Sequence, residues 1–273
     1  MCPRIAALRA GALIAIVALL ASCASVPMAP PEAVRDLAPG GKLRAAINLG
    51  NPILARRDAA TGEPRGVSVD LSNELARRLA VPVEFSTYPS AGRVVEGAAK
   101  GEWDIAFNAI DPARARDIAY SAAYVVIEGS YLVKADSPIR VNDEVDRAGV
   151  RIAVGKGSAY DLFLSRELKN ARIVRAPTSP AVVDFFLAEN LEVAAGVRQQ
   201  LLADAKRHAG LRLLDGRFMA INQAMGMPQG REAGARYLRE FVEEMKASGF
   251  VARALERHGI QGAQVAPPSS AAQ

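Results

Sequence analysis

Short apolar runs alternate with segments of helical periodicity along the chain, and this alternation constrains the possible folds more than any other feature. Leu43–Asn48, Val83–Thr87 and Ile105–Asn108 are apolar runs of strand length. The segment between the first two carries Leu71 and Leu75 at the four-residue spacing of one helix face. Strands separated by helices are typical of the α/β class. We therefore predict one small α/β unit in this part of the chain.

A second unit of the same kind is predicted after Ser137-Pro138. Its strands are predicted at Arg151–Val154, Arg172–Arg175 and Val193–Val197, and its helices at Ala159–Glu167, Pro180–Ala188 and Arg198–His208. The chain then returns through a predicted strand, Phe218–Met225, and ends in a long helix whose buried face begins at Leu238. Two similar units with a late return strand predict two lobes and a cleft between them.

The N-terminus has the features of an export signal. Arg4 and Arg9 precede or flank an apolar stretch, Ala10–Leu20, that is too short to span a bilayer. The stretch closes on Leu-Ala-Ser and then Cys23, the pattern at which bacterial lipoproteins are cleaved. We predict a signal peptide at residues 1–22 and a lipid on Cys23 that anchors the protein to a bacterial membrane from the periplasmic side. Ordinary secretory cleavage, which would leave a soluble periplasmic protein, is the alternative.

Composition indicates a globular protein without a nucleic-acid surface. Removal of residues 1–22 leaves 251 of the 273 residues, enough for one large or two modest domains, and half of the chain is hydrophobic. The net charge falls from +5 to +3 because Arg4 and Arg9 are lost, and the remaining basic residues are scattered among acids. The mature chain keeps one cysteine, so no internal disulfide is predicted.

The two ends and the histidines allow three further predictions. Residues 23–36, which begin with an Ala- and Pro-rich stretch, are predicted to be a tether between lipid and domain. Residues 263–273 are predicted to be a disordered tail. His208 and His258 are far apart in the sequence and no cysteine cluster accompanies them. We therefore predict no metal site and no cofactor.

Several segments taken together resemble one known family. They are Gly41–Ile47, Gly66–Leu71, Gly101–Ala106, Asp111–Tyr124 and Gly149–Ser158. Their order and spacing are similar to those of the bacterial extracellular solute-binding proteins of family 3, the polar-amino-acid receptors of ABC importers. The resemblance covers roughly Leu37 to Gly262.

The resemblance implies a two-lobed α/β fold of the type II periplasmic-binding-protein class, with a hinge and an interlobe cleft. It implies a first lobe at 37–132 together with 222–262 and a second at 133–221, connected by crossing strands near Tyr131–Ser137 and Gly216–Ile221. Closure of such lobes on a ligand is a change that a transporter can sense. The implied partners are a small carboxylate or amino-acid ligand and an ABC permease in the inner membrane, and the protein is expected to be a monomer.

Arg114 is the leading ligand contact that the resemblance implies. It lies where the family has an arginine that grips the ligand's carboxylate, and a guanidinium offers a bidentate fork for that group. A structural salt bridge with a neighbouring aspartate is the alternative role of this side chain. Asn108 follows a strand and is expected to add polar contacts. Gly157 and Ser158 lie between a strand and a helix, where backbone N–H groups can point at an anion.

The sequence departs from the family where the ligand's amino group is usually paired. Val197 stands in place of an aspartate and is followed by Arg198. Aromatic residues that often enclose the ligand are also missing, and Tyr88 and Tyr160 are the candidates to replace them.

Two hypotheses about the ligand are therefore open. The first is a small carboxylate without an α-amino group, held by Arg114 and Arg198, because an unpaired buried ammonium group is costly. The second keeps an amino-acid-like ligand and moves its acidic partner to Asp111 or Glu128.

Two other functions are also open at this point. Cyclohexadienyl dehydratases, which act on arogenate- or prephenate-like acids, share the fold that the resemblance implies. In such an enzyme Glu128 would be a general acid and Lys156 an electrostatic helper. A lipoprotein that binds a partner protein is the other, and it predicts an exposed apolar patch instead of a polar cleft.

Overall fold

A mixed β-sheet is the framework of the structure, a computed structural model that describes residues 28–269. The predicted signal peptide and Cys23 lie outside the described residues. The helices are α1 (Pro31–Leu37), α2 (Val67–Leu79), α3 (Ala91–Ala99), α4 (Ala159–Glu167), α5 (Val182–Ala188), α6 (Arg198–Arg207), α7 (Glu232–Ala247) and α8 (Phe250–Arg257). The strands are β1 (Leu43–Asn48), β2 (Arg56–Arg57), β3 (Pro64–Arg65), β4 (Val83–Tyr88), β5 (Ile105–Ala109), β6 (Ile118–Lys134), β7 (Arg151–Gly155), β8 (Arg172–Ala176), β9 (Val193–Val197), β10 (Leu211–Leu213), β11 (Met219–Pro228) and β12 (Gln264–Val265).

The strand order across the main sheet is β4-β1-β5-β11-β6-β9-β7-β8. β1 is parallel to β4 and β5, and β7 is parallel to β8 and β9. β6 and β11 are antiparallel to their neighbours. We call the half that contains β4, β1 and β5 the first lobe, and the half that contains β9, β7 and β8 the second lobe.

The chain crosses between the lobes twice, first along the long strand β6 and then on its return from the second lobe into β11. β6 pairs with β11 from Ile118 to Gly129 and with β9 from Gly129 to Leu132. The change of partner therefore falls at Gly129, slightly before the segment that we expected to cross between the lobes. The side chains of Phe218 and Met219 crowd the position of Gly129, where an added Cβ would lie 2.7 Å from a Met219 side-chain carbon.

The buried residues follow from the predicted periodicity. In the first lobe Leu71 and Leu75 of α2 are fully buried in one core with Leu43 and Ile47 of β1. The last helical face, which begins at Leu238 in α7, is buried in the same core. The second lobe has an additional core around α5, whose buried members include the residues Val183, Phe186, Leu132 and Ala153. These cores confirm the α/β class, since helices such as α2, α5 and α7 bury apolar faces against the sheet.

Most predicted element boundaries agree with the structure to within one or two residues. β1, β9 and α4 have the predicted bounds. The predicted helix from Pro180 begins instead as a short 3₁₀ turn, Ser179–Ala181, and becomes α-helical at Val182. Proline at the second position of this turn lacks an N–H group, which is acceptable at a helix start.

The expected tether is partly wrong, because its last residues fold. Pro31 begins α1, and Ala33 and Leu37 are buried one turn apart on the side that packs against α7. The Asp36 carboxylate accepts a hydrogen bond from the Gly234 N–H group at 2.9 Å. Proline supports the first turn of this helix, and composition alone did not reveal its apolar face.

The expected disordered tail is also partly wrong. Gln264 and Val265 form β12, which pairs with β6. The next residue, Ala266, is buried and donates its N–H group to the Tyr124 carbonyl oxygen at 3.1 Å. Two residues are too few to show the periodicity of a strand. The strand β12 forms because β6 offers it a partner, and that partner is remote in the sequence.

Candidate functional site

A small cavity lies between the two lobes, at the ends of strands from both. Its volume is about 30 Å³. Strand ends and the loops that follow them are where open α/β sheets commonly place a binding site. The polar residues that line the cavity are Asn48, Asn51, Arg114, Ser158, Tyr160, Ser179 and Gln223.

Arg114 occupies the centre of this arrangement. Only 3% of the residue is exposed. Its Nη1 donates to the Ala109 carbonyl oxygen at 3.0 Å, and its Nη2 donates to the Gly157 carbonyl oxygen of the second lobe at 2.7 Å. Within residues 28–269 no carboxylate lies within 4.0 Å of this guanidinium. Burial lowers the pKa of Arg114, and the nearby Tyr120 and Asp111 oppose that effect. An arginine stays charged under such conditions, so the cavity carries a positive charge.

The turn after β5 positions Arg114. Asp111 accepts the Ala113 N–H group on its side chain at 2.9 Å, and its carbonyl oxygen accepts the N–H groups of Arg114 and Ala115. These hydrogen bonds fold the chain into the 3₁₀ turn that starts at Arg114. In the sequence Asp-Pro-Ala-Arg, Asp111 therefore stabilises the turn and Arg114 provides the cation.

The wall from the second lobe is the loop between β7 and α4. Gly157 has a φ angle of +70°, which favours glycine. The Ser158 hydroxyl accepts the Asp161 N–H group at 3.0 Å and caps α4, while the Asp161 carboxylate accepts the Gly157 N–H group at 2.8 Å. Tyr160 is buried, and burial raises the pKa of its phenol. Of the first N–H groups of α4, that of Asp161 is thus satisfied by the cap, while Ala159 and Tyr160 line the cavity.

The lobes touch each other around this cavity. Besides the Arg114 hydrogen bond, Arg166 of α4 makes an ion pair with the buried Asp111 at 2.9 Å. Gly157 also approaches Gly92 of α3 so closely that a Cβ atom on Gly157 would lie 2.9 Å from the Gly92 Cα. The structure therefore represents a closed arrangement of the lobes.

A larger groove lies at another place on the lobe boundary. It has a volume of about 840 Å³ and is lined by α6 and by the segment after α8. Glu128 and Arg198 line this groove and not the small cavity. Glu128 pairs with Arg217 at 3.2 Å, and Arg198 Nη1 donates to the Gly216 carbonyl oxygen at 3.1 Å.

The structure thus divides the residues expected at the site. Arg114, Ser158 and Tyr160 line the cavity. Gly157 and Asp111 each accept a hydrogen bond from Arg114 on their carbonyl oxygens without lining the cavity themselves. Asn108 is buried beside Ala109, and both polar atoms of its side chain lack a partner within the described chain. The remaining three lie elsewhere: Glu128 and Arg198 in the larger groove, and Tyr88 at a hydrogen bond of 2.8 Å to Glu102.

Some polar residues of the cavity were not expected from the sequence. Asn48 ends β1, so its position at a strand end was a usable signal. Asn51 follows in the next loop and has a buried side-chain oxygen without a partner in the described chain. Gln223 belongs to β11 and Ser179 to the turn before α5. Gln223 stands in no sequence motif, and Ser179 precedes the proline of a predicted helix start, which gives no signal for a place at the cavity.

The described part of the chain has no group of three or more His, Cys, Asp or Glu side chains that could hold a metal ion. His208 lies 2.9 Å from Asp184, and His258 lies 3.0 Å from Asp70. From residue 28 to residue 269, no helix is both long and apolar enough for a membrane span.

The two-lobed sheet and the cavity between its halves define the class of solute-binding proteins. The sequence model of the bacterial extracellular solute-binding proteins, family 3, matches residues 43–261. The chain belongs to this family, as its sequence motifs indicated.

Solved structures with the same fold include receptors for amino acids. A solute receptor for L-cysteine from Neisseria gonorrhoeae has a TM-score of 0.72 and 20% identity, covering 84% of this chain and 94% of that one. A cysteine-binding protein from Campylobacter jejuni has a TM-score of 0.70 and 15% identity, covering 82% and 92%. An ancestral amino-acid-binding protein, described as a precursor of cyclohexadienyl dehydratase, has a TM-score of 0.69 and 19% identity, covering 82% and 98%. At these identities the likeness shows the fold.

Proposed function

We propose that this protein binds a small carboxylate-bearing solute, an amino acid or a related organic acid, between its lobes and delivers it to an ABC permease. The observation that carries the proposal is Arg114, a buried cation whose hydrogen-bond partners are two neutral carbonyl groups, one from each lobe. Burying a charge without a counter-charge is costly, so an anion at this place would be strongly favoured. An anion that pairs with Arg114 would favour the closed arrangement, because the same guanidinium contacts the second lobe.

The family supports a periplasmic receptor in particular. Two of the related structures are receptors for cysteine, and family 3 consists of extracellular solute-binding proteins. We extend this proposal to the anchor: cleavage before Cys23 and lipidation of its thiol would hold the receptor at a membrane, near the permease. Intact-mass measurement of the membrane-extracted protein tests the anchor, since an unmodified Cys23 would contradict it.

The binding proposal is tested by thermal unfolding of the full chain with a panel of amino acids and organic acids. A ligand that binds only the folded state at a hundredfold excess over its Kd stabilises it by about 2.7 kcal/mol. We expect at least one carboxylate to raise the melting temperature.

Two arginine variants make the test specific. Arg114→Met removes the buried cation and should abolish the ligand-induced shift. Arg116→Met changes an exposed arginine of the same turn and should leave the shift intact. No shift with any carboxylate, or an equal shift with Arg114→Met, would contradict the proposal.

An enzymatic elimination finds less support at this cavity. Glu128, the candidate general acid, lies in the larger groove and pairs with Arg217. The other candidate, Lys156, has an exposed side chain and does not line the cavity. We therefore propose binding without turnover, and incubation with prephenate or arogenate followed by product analysis checks it.

A partner-protein function also finds less support. Within the described chain, the large apolar side chains that are clearly exposed are Met28, Ile110, Val141 and Leu202. Leu202 lies in α6 and the other three in separate loop segments, whereas a docking site would need a contiguous patch.

A further inference from the structure

The charges around the interlobe cavity are unbalanced, and this imbalance bears on which solutes can bind. Of the described residues that line the cavity, Arg114 is the one with a charged side chain. None of them is an aspartate or a glutamate. Val197, at the end of β9, supplies an apolar wall from the second lobe. The cavity therefore offers a partner for an anionic group but no anionic partner for a cationic one.

The two buried carboxylates nearest the cavity are already paired. Asp111 receives the guanidinium of Arg166 at 2.9 Å as well as the Ala113 N–H group. Asp161 receives Arg175 at 3.0 Å together with the Gly157 N–H group. Each of these carboxylates has an arginine of its own, so neither is free to neutralise an ammonium group of a ligand. Glu128 pairs with Arg217 in the other groove.

One buried acceptor atom of the cavity lining lacks a hydrogen-bond donor within the described residues. The side-chain oxygen of Asn51 is buried, has no partner within the described residues and belongs to a residue that lines the cavity. A hydroxyl group can satisfy such an oxygen with one hydrogen bond. An ammonium group carries three donors and a full charge, and neutral oxygens such as that of Asn51 leave its charge without a counter-charge.

The cavity as it stands is smaller than any carboxylate-bearing solute. Its volume of about 30 Å³ is roughly that of one water molecule in the liquid. Because Gly92 and Gly157 bring the two walls together, a bound solute would have to move the lobes apart, and a small solute would do so least.

We infer that the solute is a small carboxylate without an ammonium group, such as a hydroxy acid. Its carboxylate pairs with Arg114 and its second polar group is neutral and faces Asn51. This inference rests on the proposed function, because it assumes that the interlobe cavity is the binding site.

Matched pairs of probes test the inference by isothermal titration calorimetry on the full chain. The pairs are L-lactate and L-alanine, L-glycerate and L-serine, and L-malate and L-aspartate. Within each pair the main difference is a hydroxyl group in place of the ammonium group. We expect the hydroxy acid of at least one pair to bind at least tenfold more tightly than its amino acid.

The outcomes separate the inference from the proposed function. If no pair shows this preference and an amino acid binds as tightly as its hydroxy acid or more tightly, the inference is overturned and the receptor function stands. Absence of binding by every probe, together with a silent panel of amino acids and organic acids, would overturn both.

A pair of variants at Val197 provides a second test. Val197→Asp adds a carboxylate to the cavity wall, and Val197→Asn adds a neutral group of nearly the same shape. The side chain is only partly buried, so either substitution should be tolerated. We expect Val197→Asp to lower hydroxy-acid affinity at least tenfold and to improve the affinity of the matched amino acid relative to it. Val197→Asn changes the same wall without adding a charge, so it should alter both affinities by a similar factor and leave their ratio near that of the parent chain. Equal effects of the two variants would contradict the inference.

Discussion

Two buried arginines of the first lobe differ in the charge of their hydrogen-bond partners. Arg78 of α2 is 6% exposed and is held by two carboxylates: Glu74 accepts its Nε at 2.9 Å, and Glu244 of α7 accepts Nη1 and Nη2 at 2.5 and 2.7 Å. Arg114 is 3% exposed and has only carbonyl partners. The hydrogen bond to Glu244 raises the pKa of Arg78, whereas burial lowers the pKa of Arg114.

We propose that the two arginines have different roles. At Arg78 the fold supplies the counter-charges, so the side chain joins α2 to α7. At Arg114 the fold buries a cation without a carboxylate partner among the described residues. This buried charge lowers the stability of the folded state unless a ligand provides an anion. Local departures from good pairing are expected where a protein binds a ligand. The contrast therefore supports the binding role of Arg114 without reference to any relative.

The largest effect should appear when each arginine is replaced by methionine. Arg78→Met leaves Glu244 without its partner and Glu74 with Arg77 alone, and we expect the free energy of unfolding to fall by about 2 kcal/mol. Arg114→Met removes an uncompensated charge at the cost of two carbonyl hydrogen bonds, so the change should stay within about 1 kcal/mol. Urea denaturation without ligand measures both. An equally large loss in Arg114→Met would erase the contrast.

When ligand affinity is measured instead of stability, Arg114→Met should be the more affected of the two variants. A charge-assisted hydrogen bond contributes about 1.5–3 kcal/mol, so Arg114→Met should weaken the binding of a carboxylate by roughly 10- to 100-fold. Arg78→Met should bind as the parent chain does, because its partners lie on α2 and α7 and none of these residues lines the cavity. Calorimetry with the tightest carboxylate of the panel decides the matter, and weakened binding by Arg78→Met would argue against two separate roles.

The close backbone contact between Gly157 and Gly92 can be tested with a pair of glycine variants. Gly157→Ala introduces both the cost of a positive φ angle and a Cβ atom 2.9 Å from the Gly92 Cα. Gly210→Ala is a matched control, since Gly210 has a φ angle of +77° and open space around its Cα. Both variants should lose about 1 kcal/mol of stability.

Only Gly157→Ala should also lose affinity, because it hinders closure around the ligand. We expect a loss of about tenfold, which corresponds to roughly 1.4 kcal/mol. Calorimetry with the same carboxylate provides the measurement, and equal affinities of the two variants would mean that closure does not depend on this contact.

The ion pair between the lobes should have a smaller effect. Arg166→Gln leaves the buried Asp111 unpaired near Arg114, where its carboxylate competes with the ligand's anion. The side chain of Arg166 is 42% exposed, so solvent weakens the pair. We expect a two- to fivefold loss of affinity, about 0.5–1 kcal/mol. The double variant Asp111→Asn with Arg166→Gln should recover most of it, and the absence of any recovery would show that the two residues act independently.

Periodicity explains how much of the fold could be predicted. The apolar faces that contain Leu71 in α2 and Leu238 in α7 depend on spacing within one element, and both are buried as expected. The helix α1 and the strand β12 were missed because each is short and is stabilised mainly by a partner remote in sequence, α7 and β6 respectively. Their pairing has no local signal.

The site was predictable to the extent that a motif carried it. Arg114 and the turn around Ser158 come from segments with recognisable order and spacing, and both line the cavity. The partner of Asp111 was missed because Arg166 is 55 residues away and belongs to the other lobe. Glu128 was assigned to the same hypothesis as Asp111, although β6 carries it to a different groove. Contacts across the lobe boundary therefore mark the limit of sequence reasoning here.

The smallest predicted effect is the pH dependence of the Arg78 cluster. Hydrogen bonding to Arg78 lowers the pKa of Glu244 below its ordinary value of 4.5. Its side chain is half exposed, so the contribution to stability is modest. A carboxylate with a lowered pKa in the folded state stabilises the protein above the unfolded pKa, and this contribution is lost as the pH falls through the folded value.

Below about pH 4.5 the parent chain should therefore lose stability more steeply than Arg78→Met, whose Glu244 has no such partner. The Arg114→Met variant should follow the parent curve, because Arg114 has no carboxylate within 4.0 Å in the described residues. Urea denaturation at several values between pH 6 and pH 3 gives the three curves. If Arg114→Met flattened the acid limb as Arg78→Met does, a carboxylate would have to depend on Arg114 too, and the imbalance at the cavity would have to be explained differently.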